Sequence, residues 1–312
     1  MKDYIVSAIV SVYNCEHFIR GCLEDLERQT IFDRLEIVVV NSGSQEYEEA
    51  IINGFVDKYD NIVYIKTDNR ETIYQAWNRA IHASSGKYIT NANADDRHRA
   101  DAFEVMSDEM ERDCSVDIVW ADDIVTETVN DTFENHTATR HLNWPEFDSH
   151  LLLDRCFIGP HPMWRSKLHE RFGYFDETLK VAGDYEYWLR ISEACKFKHI
   201  KEHLGLYLKY PDSLENRNRT ITILESERVR GRYVDRVLHD KKLLKAFYKR
   251  SCSQNYKLGS IYFDQGDLPS ARKAFLSSIR ANWLFYRSYY GLIACYLPLK
   301  LILLLRRNRL NS

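Results

Sequence analysis

Two groups of acidic residues stand where they could do chemistry. Asp95 and Asp96 are adjacent and follow the apolar segment KYITNA after two intervening residues. Asp184 and Glu186 lie in the segment AGDYEYWLR. Adjacent carboxylates repel each other unless they are exposed, protonated or bound to a cation. Because Mg²⁺ and Mn²⁺ prefer oxygen ligands and share them with phosphates, Asp95 and Asp96 predict a metal site that holds a diphosphate. The alternative for this pair is an acidic loop or a helix cap.

The elements that must position these acids alternate along the first 122 residues. Short β-branched segments predict strands, and segments with apolar residues at helical spacing predict the helices between them. The strands are expected at 5–12, 35–40, 61–66, 87–92 and 116–122, and the helices at 16–29, 46–58, 72–84 and 100–112. Apolar strands that alternate with helices predict an α/β fold with a mostly parallel sheet flanked by helices.

Polar residues follow each of the first four predicted strands. In open α/β sheets ligands bind at the carboxyl ends of the strands, so these residues join the acids as candidate ligand contacts. They are Ser11, Tyr13, Asn41, Arg70 and Asn93. Neither GxGxxG nor GxxxxGK[ST] occurs, which argues against a dinucleotide-binding fingerprint and a P-loop.

Four segments occur in a characteristic order: SVYN, EIVVVNSGS, NRAIHASSGKYITNANADD and AGDYEYWLR. Together they resemble the family 2 glycosyltransferases over about residues 4–215. That family consists of inverting enzymes with the GT-A fold that use nucleotide-sugar donors. The resemblance implies that Asp95 and Asp96 hold Mn²⁺ or Mg²⁺ and that the polar strand ends bind the donor. It also implies that Asp184 is the base that deprotonates the acceptor hydroxyl, with Glu186 in reserve.

Two positions depart from the family pattern. Asn41 stands where the family usually has an Asp that accepts the N3–H of the base, and an amide oxygen can still accept that bond. Asn93 replaces the first acid of the metal motif, which removes one negative charge. We therefore expect base recognition to survive and metal binding to be weaker than is typical of the family.

Three further residues are candidate contacts for the acceptor. His161 lies between two prolines in GPHPMW, a stiff segment that could present the ring to a cleft. Trp164 and Trp188 could stack against sugar rings. The alternative for all three is core packing, and the alternative for Asp184 is a helix cap.

The segment after residue 218 has a helical pattern. Leu258, Gly259, Tyr262, Gly266, Ala271 and Phe275 fall at the spacing of one tetratricopeptide repeat. A single such unit cannot bury its apolar face alone, so we expect it to pack within the chain, on a second copy or on a protein partner.

The C-terminal segment is apolar and then basic. Tyr289–Leu305 is interrupted only by Pro298 and Lys300, and Arg306, Arg307 and Arg309 follow. As a helix it would be about 25 Å long, shorter than the roughly 30 Å hydrocarbon core of a bilayer. We expect it to lie in a cytoplasmic membrane surface, with a buried terminal helix as the alternative.

Composition narrows the function classes. The 43 basic and 46 acidic residues give a net charge of −3, which offers no electrostatic argument for nucleic-acid binding. Seven cysteines without a CxxC pair indicate a reducing compartment, and the N-terminus is unlike a signal peptide. We therefore expect a cytoplasmic protein, peripheral on the inner face of the cell membrane.

These observations predict a transferase with four parts. Residues 1–122 bind the nucleotide sugar, 123–218 bind the acceptor, 219–288 form the helical extension and 289–312 form the membrane-associating tail. The predicted reaction moves a sugar, with UDP as the expected carrier, to a glycan or lipid-linked hydroxyl in bacterial surface polysaccharide synthesis. One alternative is a non-catalytic nucleotide-sugar or glycan-binding module with a protein-docking tail. A nucleotidyltransferase is a weaker alternative, since Ser11 to Arg20 offers only one basic residue.

Overall fold

The chain divides into two compact units, residues 1–217 and 218–312. The computed structural model describes residues 3–138, 140–210, 217, 219–298 and 301–302. In these residues the first unit holds all the strands and the second is helical. The finer subdivision expected at residues 122 and 288 stays a prediction.

Nine strands of the described residues form one sheet in the first unit. They are β1 (Val6–Val12), β2 (Leu35–Ser42), β3 (Ile62–Thr67), β4 (Tyr88–Asn91), β5 (Arg97–His98), β6 (Ile118–Thr126), β7 (Arg140–Leu142), β8 (Met163–Arg165) and β9 (Phe197–Leu208). Their order is β3-β2-β1-β4-β8-β6-β9-β5, with β7 paired to β6. The predicted α/β fold is confirmed. The sheet is more mixed than expected, because the short strands β5, β7 and β8 pair antiparallel to their neighbours.

Seven helices surround this sheet in the described part of the first unit. They are α1 (Glu16–Leu26), α2 (Glu48–Val56), α3 (Ile73–Ala83), α4 (Ala102–Arg112), α5 (Ser149–Asp154), α6 (Leu168–Phe172) and α7 (Gly183–Ile191). Helix α1 shows why they dock, since Ile19, Cys22, Leu23 and Leu26 recur at helical spacing and are all buried. Each fully buried Leu or Ile stabilises the fold by about 1.5–3 kcal/mol.

The strand order reverses at β1, which lies between β2 and β4. In open α/β sheets such a reversal opens a crevice at the carboxyl ends of the strands. The parallel register places Val12 of β1 beside Asn41 of β2, and Asn41 beside Lys66 of β3. The polar residues predicted as ligand contacts after β1, β2 and β3 therefore share one edge of the sheet.

The second unit is built from four helices in its described residues. They are α8 (Arg219–Arg232), α9 (Lys241–Gln265), α10 (Leu268–Ala281) and α11 (Tyr286–Ala294), with a 3₁₀ turn at Val234–Val237. Gly266 ends α9, and the Asp267 side chain accepts the backbone N–H of Ser270 to begin α10. Ala271 and Phe275 are buried between the helices. The expected helical pair is present, and its assignment to the tetratricopeptide type stays a prediction.

The C-terminal region differs from the expected helices in two ways. The helical pattern over 219–250 is divided, because Asp240 caps a new helix by accepting the backbone N–H groups of Lys242 and Leu243. Helix α11 covers the apolar segment from Tyr289 only as far as Ala294, and residues 301–302 are helical again. The three arginines at the end of the segment lie outside the described residues. Among the residues that are described, no helix combines the length and apolarity needed to cross a membrane.

Candidate active site

The loops after β1, β2 and β3 are tied to one another at the crevice. The backbone N–H of Asn14 donates to Ser44 Oγ at 3.0 Å, and the N–H of Gln45 donates to Asn14 Oδ1 at 2.9 Å. Gly43 has φ +67°, and a Cβ added there would lie 2.9 Å from the carbonyl carbon of Asn69. Only glycine both adopts this backbone conformation readily and leaves that space. The three loops thus form a continuous wall.

Asn41 is buried within this wall. Its Oδ1 accepts the backbone N–H of Ser44 at 3.1 Å, and its Nδ2 donates to Tyr64 Oη at 3.1 Å. An amide oxygen has two lone pairs, so Oδ1 retains the capacity to accept one more hydrogen bond. This is the chemistry that recognition of a base N3–H requires.

Tyr13 and Arg70 meet beside this wall. The Arg70 guanidinium lies over the Tyr13 ring, 4.0 Å from its centroid. Ser11 is half-buried near the end of β1. The structure therefore brings an aromatic ring and a cation together in the same loop region, a combination suited to a base and its phosphates.

Asp96 is buried after β4 and is held on both oxygens. Its Oδ1 accepts the backbone N–H of Leu208 at 2.9 Å, and its Oδ2 accepts Asn93 Nδ2 at 2.9 Å. Burial alone would raise the pKa of this carboxyl, but its contacts with His161, Asn93 and Leu208 lower it below its usual value. Asp96 is consequently an ionised group whose oxygens are already bound within the protein.

Asp95 is the more accessible acid of the pair. Burial raises the pKa of this carboxyl to about 7, and the negative charge of Asp96 adds to the effect. A bound cation would favour the ionised form that this environment disfavours. Within the described ranges no group of three or more His, Cys, Asp or Glu side chains is arranged to hold a metal ion. The carboxylate of Asp95 and the amide of Asn93 are oxygen donors of the kind that Mg²⁺ and Mn²⁺ bind.

His161 does not face a cleft as expected. It is buried, with Nδ1 2.7 Å from Asp123 Oδ1 and Nε2 3.3 Å from Asp96 Oδ2. Burial opposes the charged ring, but the two carboxylates outweigh it and raise the pKa of His161 to about 10. The expected acceptor contact is therefore corrected: His161 is an internal cation that bridges Asp96 and Asp123.

Replacing His161 by Gln should leave two buried carboxylates without their cation. Breaking a buried ion pair in this way costs about 3–5 kcal/mol, and we expect the free energy of unfolding measured with urea to fall by that amount. The control is His17→Gln at an exposed position. Adding Asp123→Asn to His161→Gln should recover part of the loss. If His161→Gln were as stable as His17→Gln, the assignment of His161 as a buried cation would be wrong.

Asp184 lies in the first turn of α7. The helix begins at Gly183 and its cap position is Ala182, so the expected alternative of Asp184 as the capping residue does not hold. Tyr74 Oη donates to Asp184 Oδ1 at 2.9 Å. Burial, together with the charge of Asp184, raises the pKa of Tyr74 well above its usual value. Tyr74 therefore stays protonated and orients the carboxylate.

Glu186 is engaged elsewhere. Its carboxylate is buried and paired with Arg190, with a 3.2 Å hydrogen bond from Arg190 Nε to Oε1. Arg190 also donates to the backbone carbonyls of Phe172 and Tyr174, which secures α7 against the end of α6. The expected reserve role is corrected to that of a structural ion pair.

Trp164 and Trp188 belong to the core. Both are fully buried, and their rings meet edge to face with centroids 5.5 Å apart. Phe175 packs edge to face against each of them. Neither indole offers a face to a sugar ring, so the expected stacking role is corrected to aromatic core packing.

Sequence reasoning missed three residues that support the site. Tyr74 holds Asp184, Asp123 holds His161, and Trp144 Nε1 donates to Asp123 Oδ2 at 2.7 Å. One signal was available for Asp123, because it follows Asp122 in an apolar strand and so repeats the adjacent-acid pattern of the predicted metal site. Nothing in the local sequence distinguishes Tyr74 from a core tyrosine of α3.

The mixed sheet, the strand reversal at β1 and the acids directly after β4 agree with the GT-A fold expected from the sequence. The sequence model of the family described as "Glycosyl transferase family 2" matches residues 7–171, more than half of the chain. The chain therefore belongs to glycosyl transferase family 2. The resemblance seen in the sequence is confirmed at this level.

The curated relatives include proteins named for the synthesis of chondroitin, hyaluronan and teichoic acid. Chondroitin synthase of Escherichia coli is 28% identical over 198 residues, which are 64% of this chain and 28% of that protein. Hyaluronan synthase of Pasteurella multocida is 27% identical over the same length, 20% of that protein. The minor teichoic acid biosynthesis protein GgaB of Bacillus subtilis is 28% identical over 212 residues and 22% of its length. The chain thus matches between a fifth and less than a third of these relatives.

Solved structures share the fold. TarS residues 1–349 of S. aureus, in complex with UDP-GlcNAc, superposes with a TM-score of 0.68 at 17% identity, covering 94% of this chain and 89% of that one. The mannosyltransferase PcManGT of Pyrobaculum calidifontis, in complex with GDP-Man and Mn²⁺, gives a TM-score of 0.56 at 14% identity, covering 92% and 78%.

Proposed function

We propose that this glycosyltransferase moves a sugar from a UDP-sugar to a hydroxyl of a glycan or lipid-linked acceptor, with inversion, in surface polysaccharide synthesis. The observation that carries the proposal is the place of Asp95 after β4, where it is less buried than Asp96 and where burial raises the pKa of its carboxyl to about 7. The solved TarS complexes with UDP and UDP-GlcNAc and the polysaccharide synthases among the relatives support the donor and the setting.

Donor binding uses the wall formed by the loops after β1, β2 and β3. Asn41 Oδ1 accepts the N3–H of uracil, and the Tyr13 and Arg70 pair provides a ring for the base and a cation for the phosphates. Asp95, with Asn93 beside it, would hold Mn²⁺ or Mg²⁺, which neutralises charge on the leaving diphosphate. His161 and Leu208 keep Asp96 in place behind this position.

Transfer is a single displacement in which Asp184 is the base. A carboxylate has about four lone-pair sites, so Asp184 can accept the Tyr74 hydroxyl and also take the proton of the acceptor. The acceptor oxygen forms its bond to the anomeric carbon as the bond to the diphosphate breaks on the opposite face. The proton passes to Asp184, the electron pair leaves with UDP, and the anomeric configuration inverts.

A second candidate, a nucleotide-sugar-binding module without catalysis, is favoured by one observation. Asn41 and Asn93 both replace acids of the family pattern, and each makes a hydrogen bond within the protein. Release of free sugar or transfer from a panel of UDP-sugars separates the two, because a binding module would leave every donor intact.

UDP should bind at least about tenfold more tightly with Mn²⁺ than with a chelator, a difference of about 1.4 kcal/mol. The reason is that the diphosphate and Asp95 repel each other until a cation lies between them. Isothermal titration calorimetry of UDP under both conditions measures this, and uridine, which has no phosphates, is the control ligand. Equal affinity of UDP with Mn²⁺ and with chelator would remove the metal site, and equal binding of UDP and GDP would remove the uracil preference.

A further inference from the structure

Large apolar side chains face solvent along and around the last helix of the second unit. We call this set the aromatic face: Trp283, Tyr286, Tyr290, Ile293 and Tyr296, which are 71%, 61%, 69%, 58% and 67% exposed. Within α11, residues 286, 290 and 293 follow the spacing i, i+4 and i+7, so they lie on one side of the helix. Tyr286, Tyr290 and Ile293 thus form one strip along α11, and Trp283 and Tyr296 precede and follow this helix in the chain.

The opposite side of α11 is packed within the unit. Ser288 and Gly291 are buried, and Ser288 Oγ lies 2.7 Å from Ser278 Oγ of α10. A Cβ added at Gly291 would come within 2.5 Å of the Phe275 ring, so this glycine permits the close approach of the two helices. A surface helix ordinarily presents polar residues on its outer side. An apolar outer side of this size marks an interaction surface.

The charge of the surrounding C-terminal segment indicates what kind of surface the aromatic face binds. Residues 268–312 contain eight Lys or Arg and no Asp or Glu, whereas the preceding 267 residues contain the other 35 basic residues and all 46 acidic ones. The C-terminal 45 residues are therefore a cationic segment on an otherwise acidic chain. Such a segment is attracted to an anionic surface and gains nothing from a second, equally cationic copy of itself.

The tyrosine and tryptophan side chains of the aromatic face favour a lipid membrane over other anionic surfaces. Tyr and Trp have an apolar body and a polar tip, and they are enriched where membrane hydrocarbon meets water. A cavity of about 420 Å³ adjoins the aromatic face, lined by Tyr256, Phe263, Phe275 and Leu297 among others. In the sequence the face continues into an apolar segment that ends at three arginines.

We propose that the aromatic face binds the surface of a membrane that contains anionic lipids. The tyrosine and tryptophan rings enter the headgroup region, and the exposed cations of the same unit, Lys273, Arg280 and Arg287, lie beside lipid phosphates. The proposal rests on the second unit alone, so it stands or falls separately from the proposed function.

Vesicle flotation of the full-length protein tests this proposal. With vesicles of phosphatidylcholine and phosphatidylglycerol in equal parts we expect the protein to float, and with phosphatidylcholine alone we expect much weaker flotation. Tyr290→Ser combined with Ile293→Ser should lower the partition coefficient by about 10- to 30-fold, because two apolar side chains lose their burial in lipid. The matched control is Leu238→Ser with Tyr248→Ser, two exposed positions of the same unit outside the aromatic face, and it should float like the unchanged protein.

Trp283 gives a second measurement that does not depend on the folding of the paired variant. Vesicles should shift the tryptophan emission to the blue, and Trp283→Phe should lose most of that shift while still floating. Equal flotation of the Tyr290/Ile293 variant and the unchanged protein, or the same emission shift in Trp283→Phe, would overturn the proposal. It would also be overturned if the protein did not float and sedimentation showed a dimer that the Tyr290/Ile293 variant abolishes, since the face would then join two copies.

Discussion

Asp184→Asn is expected to lower kcat by about 10²- to 10⁴-fold while leaving the affinity for UDP nearly unchanged. The amide oxygen of Asn can still accept the Tyr74 hydroxyl, so the start of α7 keeps its contact, but the amide cannot take the acceptor proton. The kcat is measured by release of UDP from a UDP-sugar that a donor panel has identified. The UDP affinity is measured by calorimetry on the same preparations.

Two matched variants separate the base from its surroundings. Glu186→Gln should lower stability through the loss of the Arg190 ion pair and should leave kcat within a few-fold. Tyr74→Phe removes the group that orients Asp184 without removing the base, so its effect on kcat should be smaller than that of Asp184→Asn. Near-normal kcat in Asp184→Asn, with a large loss in Glu186→Gln, would reverse the roles of the two acids.

Asp95→Asn is expected to abolish the effect of Mn²⁺ on UDP binding and to lower kcat/KM by at least about 10²-fold. A residue that only hydrogen-bonds to a metal ligand usually contributes about 10- to 100-fold, so the loss of the ligand itself should exceed that range. Burial raises the pKa of Asp95, so its ionised form does not stabilise the folded state at neutral pH. The substitution should therefore leave the free energy of unfolding unchanged or slightly higher. Calorimetry with and without Mn²⁺ and urea unfolding provide the two measurements.

Asp96→Asn is the informative comparison. The pKa of Asp96 is lowered in the fold, so its ionised form stabilises the protein above its unfolded pKa and this contribution is lost as pH falls. We expect a clear loss of stability, since the contacts with His161 and Leu208 depend on that charge. If Asp96→Asn remained stable and alone lost the Mn²⁺ effect, Asp96 rather than Asp95 would be the metal ligand.

The sequence predicts strands β1 to β4 and the helices between them well because its signals there are local. Strands β1 to β4 consist mainly of apolar residues, and the helices between them have apolar residues at regular helical spacing. The bounds of these strands and helices therefore differ from the predicted ones by only a few residues. The sheet is completed by strands of two or three residues, β5 within the first 122 residues and β7 and β8 after them. Segments this short carry no periodicity, and their antiparallel pairing depends on distant residues.

The site shows the same division between local and distant information. Asp95, Asp96 and Asp184 are recognisable because each lies in a motif, whereas the contact of His161 with Asp123 joins residues 38 positions apart. Tryptophan in an aromatic-rich segment suits a sugar platform and a core equally well, and only burial distinguishes them at Trp164 and Trp188. Residue type predicts what a side chain can do, and the packing around it decides which of those things it does.

The wall of loops after β1, β2 and β3 also bears on the thermodynamics of ligand binding. Ordering a loop at the moment of binding costs conformational entropy and weakens affinity. Here the hydrogen bonds between Asn14, Ser44 and Gln45 and the tight approach at Gly43 already order this backbone in the folded protein. A nucleotide that binds there meets a preorganised surface, and its affinity reflects contacts and desolvation with little loss to loop folding.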